Sequence, residues 1–136
     1  MTRIVLVDDH EIVRRGIRGI LAERAGFEVV GEAGDYPGLK RLLREMAVDV
    51  VVMDIGLPGK SGIEIVQGLA TEYPQVRTLM LSIYPEDQYG LRALRSGAAG
   101  YLNKASAPEE LVKAVETVAA GRKYVSAALA QALVDN

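Results

Sequence analysis

The chain has 136 residues, 49% of them hydrophobic and 25% charged, the balance of one soluble globular domain with a single core. A net charge of -2 with no long block of one sign argues against a surface that grips nucleic acid by itself, because neutralising phosphates takes concentrated basic charge. The absence of cysteine excludes disulfide scaffolds, thiolate metal sites and cysteine nucleophiles, and it fits a reducing, cytoplasmic setting.

The first apolar run, Ile4–Val7, is cut short by Asp8-Asp9. It is too brief for a signal-peptide core or a membrane span, and reads as a buried strand. Val13, Ile17, Ile20 and Leu21 then share one face of a predicted helix. Phe27–Val30 is a second strand whose mixed continuation through Gly31-Glu32 places it nearer a sheet edge, and Leu39, Leu42, Leu43 and Met46 form a second helical stripe. Asp49–Met53 reads as a strand buried on both faces, ending at Asp54. Pro58-Gly59 shapes the loop beyond it, and Ser61 with Glu64 has the spacing of a capping box. Val76–Leu81 is the fourth strand, ending in Ser82, with a helix over Glu86–Ser96. Ala98–Leu102 is the fifth and is followed by Lys104. Ser106 with Glu109 repeats the capping-box spacing before a helix over Glu109–Ala120, whose stripe is Leu111, Val115 and Val118. Gly26, Gly97 and Gly121 follow helical stretches, where a left-handed residue is wanted. Ser126 is placed to cap a last short helix, Ala127–Val134, with Leu129 and Leu133 on one face.

Five strands alternating with helices imply a parallel sheet with right-handed crossovers and helices on both faces, an α/β doubly wound fold. Sites in such sheets form beyond the carboxyl ends of the strands. Those ends carry Asp8-Asp9, Asp54, Ser82 and Lys104. Three carboxylates in one pocket repel, each pair by about 4 kcal/mol at 4 Å and an effective dielectric of ~20. One lysine does not offset them, and hard oxygen donors favour a hard divalent ion such as Mg²⁺. A carboxylate can attack phosphorus to give an aspartyl phosphate. The equatorial oxygens of the transferred group could then be neutralised by Mg²⁺, by Lys104, and by the Ser82 hydroxyl or backbone N–H groups.

Leu6-Val7-Asp8-Asp9-His10, Met53-Asp54-Ile55-Gly56-Leu57-Pro58-Gly59, Leu81-Ser82 and Gly100-Tyr101-Leu102-Asn103-Lys104 together resemble the receiver domain of two-component response regulators, the NarL/FixJ-like subfamily in particular. The resemblance runs from Arg3 to about Tyr124. It implies a flavodoxin-like strand order 2-1-3-4-5, Asp54 as phosphoacceptor, and Mg²⁺ held by Asp8, Asp9, Asp54 and the Gly56 backbone carbonyl. It implies Lys104 as the phosphoryl contact, Ser82 as a switch hydroxyl and Tyr101 as a switch aromatic. A receiver over residues 1–124 would be followed by a helical linker, 125–136, leading to a helix-turn-helix DNA-binding domain not present in this chain. A histidine kinase is the implied partner and a homodimer an implied assembly; DNA would be reached only through the missing domain, and no membrane association is expected. Ile83 stands where many receivers carry a small residue, and a bulky side chain there could narrow access to Asp54.

Each residue also has a plainer reading. Asp8 or Asp9 would serve as a helix N-cap, Asp54 before Gly-Leu-Pro-Gly as a turn residue, Lys104 as a solvated lysine, Ser82 as a local backbone partner and Tyr101 as core packing with its hydroxyl at the rim. His10 is expected to orient a neighbour or face solvent. A haloacid-dehalogenase-like phosphatase would need Asp-x-Asp after the first strand, and a dinucleotide-binding domain Gly-x-Gly-x-x-Gly; the chain has Asp8-Asp9-His10-Glu11. The same-fold alternative is a pseudo-receiver, an interaction module that is never phosphorylated.

Overall fold

A computed structural model describes residues Met1–Asp135. Asn136, the last residue of the predicted linker, lies outside the described residues. In chain order the elements are β1 (Thr2–Val7), α1 (Glu11–Ala22), β2 (Phe27–Ala33), α2 (Tyr36–Glu45), β3 (Val50–Asp54), α3 (Gly62–Glu72), β4 (Arg77–Ser82), α4 (Glu86–Arg95), β5 (Gly100–Asn103), α5 (Pro108–Ala119) and α6 (Ala127–Asp135). The five strands form one parallel sheet, as their alternation with helices implied, in the order β2-β1-β3-β4-β5 that the resemblance implied. The mixed second run is an edge strand.

Residues of alternate parity point to opposite faces of a strand, and this divides the core in two. Val5, Val7, Val51, Met53 and Met80 face one layer, with Leu39, Leu43, Ile65, Val66 and Leu69 from α2 and α3. Ile4, Leu6, Val50, Val52, Leu79 and Leu81 face the other, with Leu21 from α1 and Leu111, Val115 and Val118 from α5. Both faces of β1 and β3 are therefore covered, which is why those two runs carry no polar alternation. Register aligns Val7 with Met53, Met53 with Met80 and Ser82 with Asn103, so β1, β3, β4 and β5 end at one rim.

Local signals held in part. Ser61 accepts the Glu64 N–H at 3.3 Å and caps α3. Gly97 and Gly121 take positive φ directly after the last helical turns of α4 and α5. Gly26 also has positive φ, but α1 has already ended at Glu23, and Gly26 closes the following turn by offering its carbonyl to the Thr2 N–H at 2.7 Å. The Ser106 capping box does not form. Pro108 occupies the first helical position, which makes Ala107 the N-cap, and its side chain makes no cap hydrogen bond.

Candidate functional site

Each residue at this rim is placed by the strand it terminates. Asp8 continues β1 by donating its N–H to Ala33 O at 3.1 Å, and its side chain is buried at 3% exposure. Its Oδ1 accepts the His10 N–H at 2.9 Å, which folds the chain into the start of α1. Asp8 thus organises the helix entrance without being the N-cap; that position is His10, whose side chain caps nothing. The His10 ring turns back instead, with Nδ1 3.2 Å from Asp8 Oδ1 and 3.1 Å from Asp9 Oδ1. It is both exposed and in contact with the acids. One potential ligand atom from each of Asp8, Asp9 and His10 falls within 4.8 Å of the others.

Asp54 ends β3 and is 8% exposed. Its Oδ1 accepts the Gly56 N–H at 3.1 Å, so the loop after β3 folds over the carboxylate. Lys104 lies just beyond β5, fixed by its N–H to Ser82 O at 2.8 Å. Its Nζ reaches 2.8 Å from Asp8 Oδ2 and 3.4 Å from Asp54 Oδ2. Residues 96 positions apart in the chain therefore share one charge centre. Burial pulls the Lys104 pKa down, but the hydrogen bond to Asp8 and the charge of Asp54 outweigh it, so the group sits above its ordinary value. A lysine held charged between two buried carboxylates is suited to receiving an anionic oxygen.

Ser82 is fully buried at the end of β4, and its Oγ accepts the Tyr84 N–H at 2.9 Å. Tyr101 is 4% exposed and donates its hydroxyl to Tyr84 O at 3.0 Å. Burial raises the Tyr101 pKa despite the opposing effect of the Ser82 hydroxyl. Ser82 and Tyr101 are thus joined through the main chain of Tyr84, a link the sequence did not reveal. Ile83 is 71% exposed and projects into solvent, while the Tyr84 ring meets Tyr89 edge-on with centroids 5.1 Å apart.

A second unforeseen feature lies behind the acids. The Arg14 guanidinium donates to the Asp8 carbonyl and, through Nε, to Glu32 Oε1 at 3.0 Å. Arg18 binds the other oxygen of Glu32. Arg14 thereby ties α1, β2 and the acidic turn together, and nothing in the helical pattern around Val13 and Ile17 marked it. No helix among the described residues is long and apolar enough to cross a membrane.

Comparison with known proteins agrees with this fold. Residues 4–116 match the family described as response regulator receiver domain. The chain is 41% identical over 131 residues to the response regulator UvrY of Escherichia coli, covering 96% of this chain and 60% of that protein. It is 38% identical over 133 residues to the response regulator GacA of Pseudomonas aeruginosa, covering 98% and 62% respectively. The chain therefore spans less than two thirds of the length of these relatives. Among solved structures, a two-component response regulator of the LuxR family from an Aurantimonas species superposes with a TM-score of 0.89 at 42% identity, covering 99% of this chain and 97% of that one. The isolated REC domain of RcsB from Salmonella enterica, solved with the phosphomimetic BeF3-, gives 0.86 at 26% identity, covering 97% and 98%.

Proposed function

The chain belongs to the response regulator receiver domains of two-component systems, and from that premise we propose that it is a switch that accepts a phosphoryl group on Asp54. The observation that carries this reading is the placement of Lys104 Nζ between Asp8 and Asp54, at 2.8 and 3.4 Å. Asp54 Oδ2 is the attacking atom, forming a bond to phosphorus as the bond from phosphorus to the donor breaks. The donor is a phosphohistidine of a histidine kinase or a small acyl phosphate. Lys104 exchanges its carboxylate contact for an oxygen of the arriving group, and the Gly56 N–H holds the acceptor carboxylate in orientation.

Receiver domains generally bind Mg²⁺ at an acidic pocket, and the carboxylate oxygens of Asp8 and Asp9, within 4.8 Å of each other, are hard donors suited to a hard divalent ion. Asp8, Asp9 and Asp54, with the Gly56 carbonyl, are the residues that would hold it. When bound it supplies positive charge that screens the approach of an anionic donor to an anionic nucleophile. The one lysine shared by two buried carboxylates supports this need for a further cation. Ser82 then gives up the Tyr84 N–H for a phosphoryl oxygen, and Tyr101 responds through its bond to Tyr84. In this reading residues 1–124 are the receiver and 125–136 the linker. The output is transcriptional, through a helix-turn-helix domain beyond this chain, and self-association as a homodimer accompanies activation. The protein acts in the cytoplasm as a signalling domain that takes part only in its own phosphoryl transfer and hydrolysis.

Intact-mass spectrometry after incubation with acetyl phosphate and Mg²⁺ tests the proposal. One phosphoryl addition is expected, absent from Asp54→Asn and from a metal-free control. No addition to the wild-type chain would leave the pseudo-receiver reading standing.

A further inference from the structure

The His10 ring serves neither the helix it precedes nor the core. His10 stands at the N-cap of α1, a position that favours Asn, Asp or Ser, and its side chain caps nothing. The side chain is 68% exposed, so it fills no interior space. Its Nδ1 stands instead 3.2 Å from Asp8 Oδ1 and 3.1 Å from Asp9 Oδ1. It is the one imidazole of the chain, and no cysteine offers a thiolate beside it.

The two oxygens of Asp8 are divided between two neighbours. Oδ2 takes the Lys104 ammonium at 2.8 Å, whereas Oδ1 accepts the His10 N–H at 2.9 Å and lies beside the ring. The oxygen that meets His10 is therefore not the one that holds the lysine. Two donors bonded to one ion at about 2.1 Å, roughly 90° apart, lie about 3.0 Å from each other. The His10 Nδ1 is near that separation from both carboxylates, and one donor atom from each of the three residues falls within 4.8 Å of the others. Ring and acids belong to one segment of three residues, so their spacing is set locally.

Carboxylate and carbonyl oxygens suit Mg²⁺, whereas imidazole suits the divalent ions of the first transition row. We infer that His10 Nδ1 is a nitrogen ligand of the metal pocket beside Asp8 and Asp9, and that it makes the pocket select ions such as Mn²⁺ or Co²⁺ over Mg²⁺. The inference rests on the metal reading of the acidic pocket above, and goes beyond it in one ligand and in the class of ion. A neutral imidazole adds a donor without adding to the repulsion among Asp8, Asp9 and Asp54. It also adds no negative charge to what an incoming phosphoryl donor meets. Nδ1 gives its lone pair to the ion, and the ring proton resides on Nε2. His10 is thus a specificity residue for the ion and takes no part in the transfer itself.

Calorimetric titration of the untagged full chain with Mg²⁺ and with Co²⁺, repeated on His10→Asn and His10→Ala, tests this. Asn is a favoured N-cap, so that variant keeps the entrance of α1. Losing a residue that merely orients a ligand already costs roughly 10- to 100-fold in affinity, so both variants should bind Co²⁺ at least about tenfold more weakly. Their Mg²⁺ affinity should change by less than about twofold, because Mg²⁺ draws on the oxygen donors. Proton NMR of the Co²⁺-loaded wild type gives a reading that needs no substitution. The exchangeable imidazole N–H of His10 should appear as a strongly shifted resonance that is lost in D₂O. Unchanged Co²⁺ affinity in the variants, an equal loss for both ions, or no shifted imidazole resonance would overturn the inference. If the wild type binds Mg²⁺ and shows one of those results, His10 alone is removed and the oxygen pocket stands. If Asp9→Asn and Asp54→Asn bind both ions as tightly as the wild type, the pocket reading fails and the nitrogen ligand with it.

Discussion

Lys104 is where the charges of the rim balance. Its pKa is raised because the hydrogen bond to Asp8 and the charge of Asp54 exceed the cost of burial. A base whose folded pKa exceeds its unfolded value of about 10.4 contributes stability fully below that value and loses it as pH climbs through the folded one. Urea unfolding between pH 8 and 11 should therefore show the wild-type chain losing stability over Lys104→Met only in the alkaline range, above about pH 10.4. Comparison with that variant isolates the lysine from Tyr101, whose raised pKa acts in the same direction. Arg14 makes a separate claim. Arg14 and Arg18 share Glu32, but only Arg14 holds the Asp8 carbonyl. Groups that orient metal ligands are worth roughly 10- to 100-fold in affinity. Arg14→Met should weaken Mg²⁺ binding, measured by calorimetric titration, by about tenfold relative to Arg18→Met, which removes the same charge. Equal affinities in the two variants would show that Arg14 acts by charge alone.

At the scale of elements, the helix entrances divide by what their cap residues are occupied with. Asp35 caps α2 through Gly38, and Ser61 caps α3 through Glu64. His10 at α1 spends its ring on the acids, and Ala107 at α5 has no side-chain oxygen to offer. The Ala107 backbone is already extended (φ -64°, ψ 152°), as a cap requires. Ala107→Ser should therefore stabilise the fold by about 1 kcal/mol in urea unfolding, the usual worth of a cap. The same substitution at His10 should gain less, because the ring's contacts with Asp8 and Asp9 are lost. Elsewhere close approach governs element position. A Cβ on Gly62 would lie 2.7 Å from Met80 Cε and 2.8 Å from Ile55 Cα, so a bare backbone lets α3 close onto the end of β3 beside Asp54.

For the molecule as a whole, the sheet brings its strongest charges to one end and holds them on short loops. That end is stabilised by whatever neutralises it. A cation that binds only the folded chain adds about 2.7 kcal/mol at a hundredfold excess over its Kd. Mg²⁺ should accordingly raise the thermal midpoint of the wild-type chain, and the increment should vanish in Asp9→Asn, whose carboxylate is exposed and lies beside the His10 ring. An undiminished increment in that variant would remove Asp9 from the proposed ligand set. The two sheet edges are managed differently. β2 is an edge strand that carries the charged residues Glu28 and Glu32, while β5 is closed by the bridge to Tyr124.

Periodicity and strand ends were legible because they are local properties of the chain. The unbroken run Val50–Met53 shows that both faces of a strand are buried, and the first polar residue after each run, as at Asp8 and Asp54, marks the rim. Asp8, Asp54 and Lys104 could therefore be brought together from order alone. The tertiary structure decided what spacing does not encode. It placed Arg14 on the Asp8 carbonyl, made the Tyr84 main chain the link between Ser82 and Tyr101, and seated Leu129 on Gly90. It also shifted the α5 entrance from Ser106 to Ala107. Periodicity needs only the bond geometry of one segment, whereas the identity of a partner depends on how separate segments pack, and small polar and glycine residues carry no pattern that announces it.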